Sequence, residues 1–178
     1  LDNMVKNGGM KLVSIGKKIL LPMGLYSNNY KDLTKVPNGA TVAIPNDPTN
    51  GGRALLLLQQ AGLITLKDGG SPKSTVADIT SNPKQLQIKE LEAAQIARSL
   101  NDVDIACVNT NYALNAGLNP LKDAVVVESK DSPYANVFVV READKDNETI
   151  KKLLAVYQSE GTKKFIEDTF KGSIIPAF

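Results

Sequence analysis

Short apolar runs alternate along this chain with longer amphipathic stretches, a pattern that predicts strands followed by helices. The clearest unit is 41–61, TVAIPNDPTNGGRALLLLQQA. Thr41-Val42-Ala43-Ile44 suits a buried strand. Pro45-Asn46-Asp47-Pro48 ends it, because proline cannot donate to a ladder and Asn and Asp favour turns. Thr49 or Asn50 then caps a helix. Gly51 and Gly52 leave its first turn bare, and Arg53 sits just inside, ahead of Ala54-Leu55-Leu56-Leu57-Leu58. Two similar units follow. Leu86–Leu91 alternates as a strand and leads into a helix over Glu92–Leu100. Val103–Val108 reads as a buried strand and leads into a helix over Asn109–Ala116, stopped by Gly117. Three strand-then-helix units, 41–61, 86–100 and 103–117, predict a parallel sheet covered by helices.

The flanks are simpler. A helix end over Leu1–Lys6 is stopped by Asn7-Gly8-Gly9, and strands are expected over Lys11–Ile15 and Met23–Ser27. Lys31–Val36 makes a helical turn or two, and 63–76 forms a polar surface excursion. Strands are predicted over Ala124–Glu128 and Tyr134–Arg141, and helices over Asn147–Ser159 and Thr162–Phe170. Ile150, Leu153, Leu154 and Tyr157 keep a helical period in the first helix, as do Phe165, Ile166 and Phe170 in the second. The apolar tail GSIIPAF is expected to dock.

In open parallel sheets ligands sit beyond the carboxyl ends of the strands. Three polar segments are expected on that rim: Asn46–Arg53, Asn109-Thr110-Asn111, and Ser132–Asn136. Free N–H groups and a guanidinium near a strand end make a seat for a carboxylate or another anion. Amide side chains supply both donors and acceptors. Together they suit an amino-acid zwitterion. The plainer readings are a surface arginine at position 53, helix caps at Asn109 and Asn111, and a backbone-pairing Asn136 at a bulge. Asp102 and Asp104 read as rim or turn residues, and Tyr26, Tyr112 and Tyr134 as half-buried packing residues.

Composition narrows the chemistry. The 178 residues can build one sizeable core or two small lobes, and 42% hydrophobic with 22% charged content fits an ordered chain. A net charge of +2, not concentrated in a stripe, gives no reason to expect a nucleic-acid partner. Histidine is absent, which removes the commonest general base and zinc ligand. Neither GxxxxGK[ST] nor GxGxxG spacing occurs, and no acidic metal cluster accompanies the polar segments, so no metal and no cofactor is expected. The single cysteine, Cys107, lies in VDIACV and reads as a small buried hydrophobe. No apolar run is long enough to span a bilayer.

The runs PMGLYS (22–27), ATVAIPNDPTNGGRALLLLQQAGLI (40–64), VNTNYALNAGL (108–118), KDSPYANVFVVR (130–141) and KGSIIPAF (171–178) resemble the methionine-binding lipoproteins of the NlpA/MetQ family. The resemblance runs over nearly the whole chain. It implies an α/β, periplasmic-binding-protein-like fold of two lobes with the ligand between them, here without the N-terminal part of the first lobe. The implied division is 1–38 as partial first lobe and crossover, 39–127 as second lobe, and 128–178 returning to the first. It implies extracytoplasmic binding of L-methionine, or a methionine-containing dipeptide, for delivery to the permease of an ABC importer. It also implies attachment to the outer face of the cell membrane through a lipid anchor lying outside this sequence, and no catalysis. By motif, Arg53 in NGGRALLLL would hold the ligand carboxylate, and Asn111 in VNTNYA and Asn136 in SPYANV would contact the ligand, with Asn109 a further candidate. The rival expectations are a sensing or adhesion module on the same fold and an amino-acid-processing enzyme.

Overall fold

The computed structural model describes residues 1–178, leaving out the side chains of Asp2 and Asn3. In chain order the elements are α1 (Asp2–Lys6), β1 (Leu12–Lys17), β2 (Ile19–Leu20), β3 (Gly24–Tyr26), β4 (Thr41–Pro45), α2 (Pro48–Gln60), β5 (Thr65–Leu66), β6 (Ile79–Ser81), β7 (Gln87–Leu91), α3 (Ala93–Ile96), β8 (Ile105–Val108), α4 (Thr110–Asn115), α5 (Pro120–Asp123), β9 (Val126–Val127), β10 (Val137–Arg141), α6 (Glu148–Tyr157), α7 (Glu160–Phe170) and β11 (Ile175–Pro176). Contacts divide the chain into two compact units, Leu1–Leu21 with Lys130–Phe178, and Pro22–Ser129. The front division therefore falls at 21/22 and not at the expected 38/39. The reason is packing: Met23, Leu25 and Val36 are buried in the same cluster as Val42, Ile44 and Leu55.

The unit Pro22–Ser129 is built on a five-stranded sheet in the order β7-β4-β8-β3-β9. β4 runs parallel to β7 and β8, as the three strand-helix units predict. β3 runs antiparallel to both β8 and β9, so the sheet is mixed. β3 is not generated by a strand-helix repeat, and an antiparallel neighbour needs no helical crossover. Alternation along each strand splits the core into two faces. Val42, Ile44, Leu25, Ile105 and Cys107 face the cluster that holds Leu55 and Leu58 of α2. Ala43, Tyr26, Ala106 and Val108 face the cluster that holds Ile96, Leu100 and Ala113. The stretch expected as one helix over Glu92–Leu100 is the short α3 followed by a 3-10 segment over Ala97–Asn101. Asp104 ties two strand starts together: its carboxylate accepts the Thr41 backbone N–H at 2.7 Å, and its own N–H donates to the Thr41 carbonyl at 3.1 Å. Of the rim and turn readings offered by the sequence, this is the turn, at the strand starts.

The other unit pairs β1 with β10 antiparallel, with a bulge between Ser14 and Gly16. The strand predicted over Tyr134–Arg141 begins only at Val137. A Cβ on Gly16 would stand 2.9 Å from both Leu154 and Gln158 side-chain atoms, which is how closely α6 lies over β1. Tyr157 of α6 meets the Phe138 ring edge-on at 4.9 Å, and the Lys18 ammonium lies 5.0 Å from the Phe138 ring centre. The tail docks as expected: Ser173 and Ile174 are buried, and β11 pairs with β2.

Candidate functional site

Arg53 is 8% exposed, so it is not a surface arginine. It lies on the buried side of α2, whose Gly51 to Leu55 are all buried. Its partner is Glu128, just past β9. Arg53 Nε donates to Glu128 Oε1 at 3.0 Å and Oε2 at 3.1 Å, and a guanidinium Nη2 donates to Oε2 as well. Glu128 Oε2 also accepts the Met23 backbone N–H at 3.0 Å, and the Glu128 N–H donates back to the Met23 carbonyl at 2.9 Å. The carboxylate thus joins the entry of β3, the exit of β9 and the first turns of α2. A charged side chain immediately after the apolar run AVVV was the only local signal for it.

The start of α2 differs from expectation. Asp47, and neither Thr49 nor Asn50, is the N-cap, and Pro48 takes the first helical position. Asp47 Oδ1 accepts the Asn50 backbone N–H at 3.0 Å, and the Asp47 carbonyl accepts the Gly51 N–H at 2.8 Å. The helix start is therefore occupied by the chain's own carboxylate and is not an open seat for an anion. The glycines serve packing. A Cβ on Gly52 would lie 2.4 Å from the Pro72 carbonyl oxygen and 3.1 Å from that of Ser74.

The amide side chains continue from this cap. Asn50 Nδ2 donates to both Asp47 oxygens, at 3.1 and 2.9 Å. Asn109, at the end of β8, donates through Nδ2 to Asn50 Oδ1 at 2.8 Å. Asn109 occupies the N-cap position of α4 but its side chain makes no cap bond. Its Oδ1 is buried with no hydrogen-bond partner among the described residues. Thr110 is fully buried and its hydroxyl donates to the Pro22 carbonyl, which anchors the first turn of α4. Asn111 follows on that turn and is exposed.

Arg53, Asn109 and Asn111 thus fall in one unit, at the carboxyl ends of the neighbouring strands β4 and β8 or on the helices that follow them. The third expected segment is Ser132–Asn136. It belongs to the other unit, where the Asn136 N–H donates to the Ile19 carbonyl at 2.8 Å and its carbonyl accepts the Lys18 N–H at 2.7 Å. The Asn136 residue is exposed. The described residues hold no group of three or more His, Cys, Asp or Glu placed to bind a metal ion, and no helix among them is long and apolar enough to cross a membrane.

The chain is similar to a solved structure described as a nutrient binding protein from Burkholderia cenocepacia bound to methionine, with 52% identity and a TM-score of 0.94, covering 99% of this chain and 75% of that one. The fold is that of the periplasmic substrate-binding proteins. The model of the NlpA lipoprotein family matches residues 1–178, and the chain belongs to that family. It is 50% identical over 177 residues to the D-methionine-binding lipoprotein MetQ of Salmonella typhi, and 49% identical over 172 residues to Lipoprotein 28 of Escherichia coli strain K12. These alignments take in 98% and 96% of this chain but 65% and 63% of the relatives, so the chain spans slightly less than two thirds of their length.

Proposed function

We propose that the protein captures methionine outside the cytoplasm and passes it unaltered to an ABC importer. The observations that carry this reading are a buried guanidinium, Arg53 on the helix that follows β4, and a buried amide oxygen with no partner among the described residues, Asn109 Oδ1 just past the adjacent strand β8. One offers donors to a carboxylate and the other offers an acceptor to an ammonium. These are the two ends of a free amino acid. Support for methionine in particular comes from the named relatives and from the methionine in the Burkholderia structure.

In this reading Arg53 orients the ligand carboxylate while Glu128 steadies the guanidinium. Asn109 and Asn111 meet the amino-acid end. Asn136 is a candidate on its motif alone. L-methionine is the ligand, with D-methionine and a methionyl dipeptide as close variants to be compared. The permease of the importer is the protein partner, and the family's lipoprotein character supports a lipid anchor on the outer face of the cell membrane. Ligand capture acts by shifting a balance between conformations, so no residue needs to make or break bonds.

Isothermal titration of the protein with L-methionine, D-methionine, a methionyl dipeptide and leucine tests the proposal. Saturable binding of a methionine ligand is expected, with leucine weaker by the roughly 1–3 kcal/mol that an apolar slot can discriminate. Equal or tighter binding of leucine, or no binding of any methionine ligand, overturns it.

A further inference from the structure

We infer that Asp47 and Asn50 are positioning residues that fix the polarity of the Asn109 amide, so that the site presents an oxygen to the ligand ammonium. This rests on the reading of the site as an amino-acid seat.

A carboxamide presents either an acceptor or donors, depending on which way it is turned. Turning one over matters little in water and a great deal in a buried site. The chain Asp47–Asn50–Asn109 leaves no choice. An ionised carboxylate only accepts. Both Asp47 oxygens face Asn50 Nδ2, at 3.1 and 2.9 Å, so reversing Asn50 would set oxygen against oxygen. Asn50 Oδ1 is therefore directed at Asn109 and can only accept. It takes Asn109 Nδ2 at 2.8 Å. That bond fixes Asn109 in turn, and its Oδ1 is left buried with no partner among the described residues. A buried acceptor held in this way calls for a donor. The group on an amino acid that donates and cannot accept is its α-ammonium.

The cap of α2 therefore has two roles. Asp47 caps the helix through the Asn50 backbone N–H, and through the Asn50 side chain it dictates what Asn109 offers one strand away. The discriminating substitution is Asp47→Asn. Asparagine is as good a helix cap as aspartate, so the fold and the cap are retained. An amide at position 47 can donate as well as accept, so Asn50 and Asn109 are freed to turn over.

The test measures binding of L-methionine and of 4-(methylthio)butanoate, the same molecule without its amino group, to the unsubstituted protein and to Asp47→Asn. Asn50→Ala serves as a second variant, and thermal melting checks the fold of each. Both variants should lose about tenfold or more in methionine affinity, the scale of one hydrogen bond to a charged group. Affinity for the des-amino analogue should stay within twofold, so that the preference for the ammonium collapses. Unchanged methionine affinity in Asp47→Asn overturns the relay and leaves the proposed function standing. Equal weakening of both ligands also overturns it, because that marks a purely structural role. Failure of the unsubstituted protein to bind methionine overturns the proposed function and the relay with it.

Discussion

Glu128 closes on the Arg53 guanidinium from its Nε edge, with both carboxylate oxygens within hydrogen-bonding distance, and the two side chains are only 11% and 9% exposed. The residues lie 75 positions apart in the chain. Such a pair holds itself together at low exposure only while both partners are present. Removing one deprives the other's buried charge of its counter-charge, which costs about 3–5 kcal/mol.

Arg53→Ala should therefore lower unfolding stability by roughly that amount in urea titrations. Arg53→Lys separates folding from binding, because it keeps a positive charge but loses the planar fork. Its methionine affinity should fall by about 1.5–3 kcal/mol, the scale of a hydrogen bond to a charged group, and that of Arg53→Ala by about 2–5 kcal/mol, the scale of a truncated buried charge pair. Calorimetry giving an affinity within twofold of the parent would remove Arg53 from the site.

Gly52→Ala should destabilise the protein by about 1–3 kcal/mol, as overpacking does elsewhere. The added methyl would meet the Pro72 carbonyl oxygen at 2.4 Å, and backbone atoms cannot swing aside as a side chain can. The midpoint of denaturant unfolding reports it. An unchanged midpoint would mean that the loop at 71–74 does not pack on α2.

Tyr26 is 2% exposed and its hydroxyl is buried without a hydrogen-bond partner among the described residues. Burial, with a smaller contribution from the Asp123 charge, holds its pKa well above the ordinary phenol value. Tyr26→Phe removes the unsatisfied oxygen and keeps the ring, so stability should rise by up to about 1–3 kcal/mol. A fall in melting temperature would show that the hydroxyl has a partner.

Cys107 is fully buried, and burial alone pushes its thiol pKa up. Its folded pKa thus lies above the unfolded one of about 8.5. Stability is complete below that pH. It is lost as pH rises further, because the unfolded thiol ionises while the folded one cannot. The slope approaches about 1.4 kcal/mol per pH unit above pH ~9. Tyr26 adds a second loss above pH ~10 by the same reasoning. Urea unfolding at pH 8 to 10 should show this slope, and Cys107→Ala should flatten its first part. A thiol reagent that labels the native protein as fast as the unfolded one would contradict the burial.

Much of the architecture was legible because apolar period is a local property. Thr41–Ile44 and Val103–Val108 contain too few polar positions to face water, and they hold the sheet's buried strands β4, which runs on to Pro45, and β8, which starts at Ile105. The helices expected over 147–159 and 162–170 and the docked tail were also readable, although Leu153 and Phe165 of their apolar period are 60% and 62% exposed. The same local signal placed Arg53 just inside a helix at a strand end and Asn109 at the next strand end, and the motif strings identified the family.

Partnership is a different kind of property. Nothing near Arg53 in the chain names Glu128, since their meeting depends on β9 pairing with β3 and on the return of Met23 to the Glu128 carboxylate. β3 runs antiparallel between two strands of the opposite sense because of where the chain enters the sheet, which no periodicity encodes. Asp47 displaces the expected caps and then sets the polarity of the amide of Asn109, far along the chain. The sequence by itself determined where the main apolar strands and amphipathic helices lie. The tertiary structure decided which charge or dipole each polar residue meets, because an ion pair or an amide chain is specified by distance in space and by the direction of its donors.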